Sequence, residues 1–183
     1  LDAVGSWWVN LFGHGEPRIA AALRAQLGEL DHVMLAGFTH RPVVELPERL
    51  AALAPSGLCH AVYGSDGASA TEIALKMSFH YWRNRGHADK RGFVSLAGGY
   101  HGETLGALGV TDVPLFRDTY APLLHANATV PCPDPRQGVT VEAAVAALDA
   151  HLARHCATTA ASIVEPLVQG ASGRTMYDAE HRA

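Results

Sequence analysis

Lysine is the scarcest charged residue of this chain, with only Lys76 and Lys90 in 183 residues. The 14 basic and 18 acidic side chains leave a formal charge of −4, and the arginines are scattered. That leaves no basic stripe and argues against a nucleic-acid partner. Cysteine is sparse as well. Cys59, Cys132 and Cys156 are odd in number and lack a CxxC spacing, so they read as free thiols of a reducing cytoplasm. No apolar run approaches the ~18 residues that span a bilayer, so no membrane association is expected, and no signal peptide is visible. The eleven histidines, His32 and His40 among them, show neither HExxH nor a paired Cys/His spacing, so no metal site is expected. A nucleotide P-loop is missing too, and Cys132 has no obvious base beside it. The first residue is not methionine, and the chain stops at "MYDAEHRA", where a new helical pattern begins. These ends suggest a piece of a longer protein.

What remains is an ordinary globular composition, 48% hydrophobic and 17% charged. Trp7, Trp8, Val9, Leu11 and Phe12 form an apolar opening that ends at Gly13-His14-Gly15. The two tryptophans are adjacent, and in an extended segment they face opposite ways. Pro17 suits a first helical turn, and Ile19, Leu23, Leu27 and Leu30 then predict a helix with one buried stripe. A second helical stretch carries Val43, Leu46, Leu50 and Leu53, with Pro47 predicting a kink or a late start. "HAVYGS" reads as a strand, residues 69–85 as a helix, "GFVSLA" as a strand and "GGYHGETLGALG" as a Gly-rich turn entering a short helix. Residues 111–138 are irregular and proline-rich. Thr140 looks like the N-cap of a helix with Val141, Val145, Leu148 and Leu152, and "ASIVEP" reads as a third strand.

Strands alternating with helices predict an α/β layer structure with a mainly parallel sheet, whose ligands sit beyond the carboxyl ends of the strands. Three suspicious loops, 65–69, 98–102 and 165–173, all follow predicted strands.

In "GSDGASATE" a glycine and small residues stand where a helix begins. Bare N–H groups and a partial positive charge gather there. Gly67 lets an anion approach the backbone, the amides of Gly67 and Ala68 point at it, and Ser69 adds a hydroxyl. The same pattern equally describes a helix start capped by Ser65 or Asp66. In "GGYHGET", Tyr100 can stack on a flat ring with His101 beside it, or serve as an ordinary half-buried aromatic. Glu165 is a carboxylate at the end of an apolar strand, either in a cleft with a partner or exposed.

Together "GSWW", "DHVMLAGFTHRP", "SDGASATEIALKMSFHYW", "GGYHGETLGAL" and "IVEPLVQGASGRTMY" resemble the N-terminal half of class III aminotransferases dependent on pyridoxal 5′-phosphate. They run through nearly the whole chain in the family's order. The first, second and last are closest to the biotin-synthesis branch of that class. The resemblance implies the pyridoxal-phosphate-dependent transferase fold type I, as an incomplete large domain over residues 56–183. Residues 1–55 would form an N-terminal segment contributing to the substrate pocket and dimer contact. It implies a phosphate turn at Gly67 and Ala68, a cofactor-stacking aromatic at Tyr100, a substrate pocket shaped by Trp7 and Tyr100 and an active-site carboxylate at Glu165. Two positions depart from the family: Ala68 stands where serine is usual, and Glu103 where aspartate is.

The resemblance places the Schiff-base lysine and the aspartate partner of the cofactor ring downstream of this sequence. Lys76 lies about two helical turns beyond the phosphate turn, and Lys90 in a polar connection, so neither suits that role. The implied activity of the complete protein is amino transfer from S-adenosylmethionine to 8-amino-7-oxononanoate, in a cytoplasmic homodimer. Another class III transaminase for ω-amino acids or diamines, or an inactive truncated remnant, are the alternatives.

Overall fold

The computed structural model describes residues 1–177. The helical start expected at the extreme C-terminus lies outside the described residues. The chain divides into two compact units, Leu1–Ala61 and Val62 onward.

In the first unit, α1 (Gly5–Trp8) is a single turn with left-handed backbone. Helix α2 (Pro17–Glu29) begins at the predicted proline, and Glu16 caps it by accepting from the Ile19 amide at 2.8 Å. Helix α3 (Arg41–Leu53) starts early and runs through Pro47, so the expected late start is corrected. The predicted buried stripe is corrected as well, because Ile19, Leu23, Leu27 and Leu30 are all exposed. An apolar stripe is buried only where another surface covers it, and helical periodicity cannot supply that surface.

The second unit holds the sheet. Helix α4 (Gly67–Asn84) leads to β1 (Gly92–Leu96), then α5 (Leu105–Val110), α6 (Pro114–Arg117) and a 3-10 turn over Asp118–Leu123. Strand β2 (Ala128–Val130) follows, then helix α7 (Val141–His155) and β3 (Thr159–Ile163). The hairpin β4 (Val168–Gln169) and β5 (Thr175–Met176) closes the described chain. The sheet order is β2-β1-β3 and both pairings are parallel, with Val94 opposite Ala128 and Ser162. Central β1 is sandwiched, so Val94, Ser95 and Leu96 are buried, and the core adds Val130, Cys132 and Tyr177. Parallel strands need crossovers, which α5, α6 and α7 provide. Thr140 caps α7 as predicted, accepting from the Ala143 amide at 3.2 Å.

Three local expectations change. "HAVYGS" forms no strand, since a strand exists only through its ladder and none of these residues has a ladder partner among the described residues. Strand β2 emerges from the stretch read as irregular, three residues being too few to show alternation. Trp7 and Trp8 are not extended.

Candidate active site

The start of α4 and the loop after β1 meet at a cleft of about 630 Å³, within the usual range of small-molecule pockets. Asp66, Gly67, Ala68 and Thr71 form one wall, and Tyr100, His101 and Glu103 the other. The contact is tight below the cleft. A Cβ on Gly102 would stand 2.6 Å from the Ala68 Cβ, at a φ of +122° that disfavours any side chain. Thr71 Oγ1 donates to the His101 carbonyl at 2.9 Å, and the His101 amide donates to Thr111 Oγ1 at 3.0 Å.

Asp66 caps α4, accepting from the Ser69 amide and the Ser69 hydroxyl, each at 2.8 Å. Those two bonds, followed by one from Ser65, hold its carboxyl below the usual range. The Ser69 hydroxyl is thereby committed to Asp66, and Ser69 is not among the residues bordering the cleft. Cap and anion cradle can coexist because a helix start offers several amides, and Asp66 takes chiefly that of Ser69. Gly67 adds a telling detail. A Cβ there would meet nothing within 4 Å among the described residues, and its φ is not left-handed. Neither packing nor backbone requires glycine at 67, in contrast to Gly102.

Tyr100 is fixed at three points. Its amide donates to Glu165 Oε1 at 2.8 Å, its ring meets Phe116 edge-on with centroids 5.3 Å apart, and its hydroxyl donates to Glu103 Oε1 at 2.9 Å. Partial burial, then Glu103, push its phenol upward. Burial pulls His101 down, and Glu165 opposes part of that shift. His101 Nε2 is buried and unpartnered among the described residues, a polar atom that a bound group would satisfy.

Glu165 lies outside the cleft lining. Its second oxygen accepts from the Gly170 amide at 2.9 Å, so the carboxylate ties the loop after β3 to the loop after β1. Sequence reasoning missed two further braces. Glu72 accepts from Thr104 Oγ1 at 2.6 Å and from the Gly106 amide at 2.8 Å, capping α5 from a neighbouring helix. Asp112 accepts from the Gly98 amide at 2.9 Å. Their partners are remote in sequence, and no local pattern announces them.

Neither lysine reaches the cleft lining. Lys76 borders a different groove with Met77 and His80, while Lys90 bonds the Cys156 and Thr159 carbonyls and sits 4.3 Å from the Trp82 ring centre.

In the N-terminal unit, Gly5, Ser6, Trp7 and Trp8 have φ of 61°, 50°, 55° and 75°. Left-handed backbone costs an L-residue roughly 1–2 kcal/mol, so three consecutive side chains here demand external restraint. Asp2 supplies some. Its carboxylate accepts from the Ser6 amide at 3.1 Å and the Ser6 hydroxyl at 2.7 Å, and His14 Nε2 lies 2.8 Å away. The Ser6 hydroxyl, then its amide and then His14 draw the Asp2 pKa down to about 2. Trp7 and Trp8 are held out to solvent, 88% and 61% exposed.

Comparisons with known proteins agree on one family. The class III aminotransferase family model matches residues 1–183. The chain is 43% identical over 183 residues to the adenosylmethionine-8-amino-7-oxononanoate aminotransferase of Helicobacter pylori, covering 99% of this chain and 41% of that one. The crystal structure of the enzyme so named from Methanocaldococcus jannaschii superposes with a TM-score of 0.90 at 31% identity, over 100% of this chain and 40% of that chain. An amine transaminase from an uncultivated Pseudomonas species, in its PLP-bound form, superposes with a TM-score of 0.88 at 30% identity, over 99% of this chain and 43% of that one. The chain thus spans about two fifths of the length of these relatives, and its parallel α/β sheet is part of a fold type I large domain. By sequence and by fold, this chain belongs to the class III aminotransferases.

Proposed function

We propose that the complete protein containing this chain transfers an amino group from S-adenosylmethionine to 8-amino-7-oxononanoate, using pyridoxal 5′-phosphate. The relatives' names support the substrates. One observation carries the cofactor: the helix start at Gly67 and Ala68 borders the same cleft as Tyr100 and His101. The residues fit such a group. Glycine at 67 keeps open a space that its own side chain would fill, and His101 Nε2 lacks a partner among the described residues.

In this reading the amides of Gly67 and Ala68 hold the phosphate, with the helix N-terminus favouring its charge. Alanine at 68 removes a side-chain donor and keeps the amide. Ser69 acts indirectly, by securing Asp66. When bound, the cofactor supplies an electron sink that stabilises a carbanion next to the amino nitrogen. Tyr100 would hold the ring of the cofactor, with the bond from its amide to Glu165 fixing its loop and the bond from its hydroxyl to Glu103 fixing its side chain. His101 packs beside it. Glu165 serves the cofactor through Tyr100 and the Gly170 amide. Trp7 gives an aromatic wall suited to a long aliphatic acceptor. The proton-moving lysine comes from outside this sequence, as Lys76 borders a different groove and Lys90 is bonded to the Cys156 and Thr159 carbonyls. Residues 1–55 serve substrate and dimer contact, residues 56–183 serve the cofactor, and the working unit is a cytoplasmic homodimer.

The test is an assay of the purified complete protein with both 8-amino-7-oxononanoate and pyruvate as acceptors. Amination of the oxononanoate supports the reading. Amination of pyruvate alone transfers the protein to the broader amine transaminases, and no cofactor absorbance with no turnover marks an inactive remnant.

A further inference from the structure

The N-terminal turn holds two large aromatics in a backbone form that ordinary residues avoid, and a single carboxylate sits at its root. Gly5 enters the left-handed region without penalty, but Ser6 is the first residue that must be forced there. Asp2 acts on that residue, with one oxygen on the Ser6 amide and the other on the Ser6 hydroxyl. The His14 ring, on the far side of the turn, meets the Oδ2 atom that holds the hydroxyl. The Asn10 side-chain amide lies 3.2 Å from His14 Nδ1, and the Asn10 backbone amide donates to the Gly5 carbonyl at 2.9 Å. The turn is thereby closed from both ends.

We propose that Asp2 is a positioning residue, whose bonds to Ser6 and His14 lock the left-handed turn and so fix the indole of Trp7 for the substrate. A right-handed or extended segment would send that side chain in another direction, because the hand of the turn sets the Cα–Cβ vector. The restraint is polar and local, so it holds the turn without a buried core beneath it. This inference rests on Trp7 being a wall of the acceptor pocket.

The test uses the complete protein with Asp2→Asn, His14→Gln, Trp7→Ala and the Asp2→Asn/Trp7→Ala pair. Asp2→Asn should raise KM for the oxononanoate about tenfold and leave kcat within about twofold, the pattern of lost uniform binding. His14→Gln should move KM the same way by less, since both Ser6 bonds survive. In the Trp7→Ala background Asp2→Asn should add less than about twofold, because residues acting as one unit are non-additive. Protein labelled with 5-fluorotryptophan supplies a readout independent of turnover. The Trp7 fluorine resonance, assigned by its loss in Trp7→Ala, should shift or broaden in Asp2→Asn. An unmoved resonance, a multiplicative KM effect in the pair, or kcat and melting temperature falling together with KM would overturn the proposal. If wild-type protein aminates neither acceptor, the aminotransferase reading fails on its own, and the fluorine spectra still decide whether Asp2 holds the turn.

Discussion

The carboxylate of Glu165 reaches back to the Tyr100 amide at 2.8 Å while its other oxygen holds the Gly170 amide at 2.9 Å. One side chain at the end of β3 therefore sets the loop that carries the cleft aromatic. Glu165→Ala in the complete protein leaves two part-buried amides without partners. The expected loss is about 2 kcal/mol or more, from the cost of unsatisfied buried donors. Thermal or urea unfolding checks it, and the visible dichroism of bound cofactor should weaken in parallel.

Gly67 and Gly102 should respond oppositely to substitution. Gly67→Val meets open space among the described residues, and valine is no worse a helix former than glycine, so the fold should keep its stability within about 1 kcal/mol while cofactor retention collapses. Gly102→Ala should unfold the protein at markedly lower temperature, since its Cβ would overlap Ala68 at an unfavourable φ. Melting temperature beside bound-cofactor absorbance separates the two. Unchanged absorbance in Gly67→Val would reduce the turn to a helix cap.

His101 makes stability depend on pH with a definite sign. Burial favours its neutral form, so the folded pKa lies below the unfolded value. The unfolded chain then binds more protons as pH falls below about 6.5, and folding stability declines toward the depressed folded value. Above that window the contribution is constant. Urea titrations from pH 5 to 7.5 should show a slope that His101→Gln flattens.

Glu72 is expected to behave as a remote cap. Its carboxylate accepts from Thr104, Gly106 and Ala107 at the start of α5. Glu72→Ala should cost about 1–2 kcal/mol, the usual range for a lost N-cap. Faster amide exchange confined to residues 104–108 is the signature to measure.

Tyr100→Ala should lower turnover far more than stability. The ring is only half-buried and its hydroxyl bond to Glu103 is exposed, so few packing contacts are lost. Comparing kcat/KM with melting temperature decides it, and equal losses would assign the ring to the core.

Several features were legible in sequence because they are local. Proline at the start of α2, threonine at the start of α7 and the apolar run of β1 each act within a few residues. The order of motifs was enough to place the chain in its family. Other features were closed to sequence reasoning. The stripe Ile19, Leu23, Leu27 and Leu30 has the right period, yet burial needs a covering surface. "HAVYGS" has strand chemistry, yet a ladder needs a second strand. Trp7 and Trp8 give no hint of a left-handed turn, because that backbone runs against the preference of any L-residue and its polar contacts come from Asp2, His14 and Asn10, outside the tryptophan pair.

By itself the sequence determined helices α2, α4 and α7, strand β1, the Thr140 cap and the family, since these depend on neighbouring residues and their order. Tertiary structure alone decided that Gly67 and Tyr100 border one cleft and that Glu165 braces Tyr100 from outside that cleft. Those relations join residues up to 65 positions apart. The loops after β1 and β3 leave neighbouring parallel strands at the same edge of the sheet, and only the folded chain brings Glu165 within hydrogen-bonding distance of the Tyr100 amide.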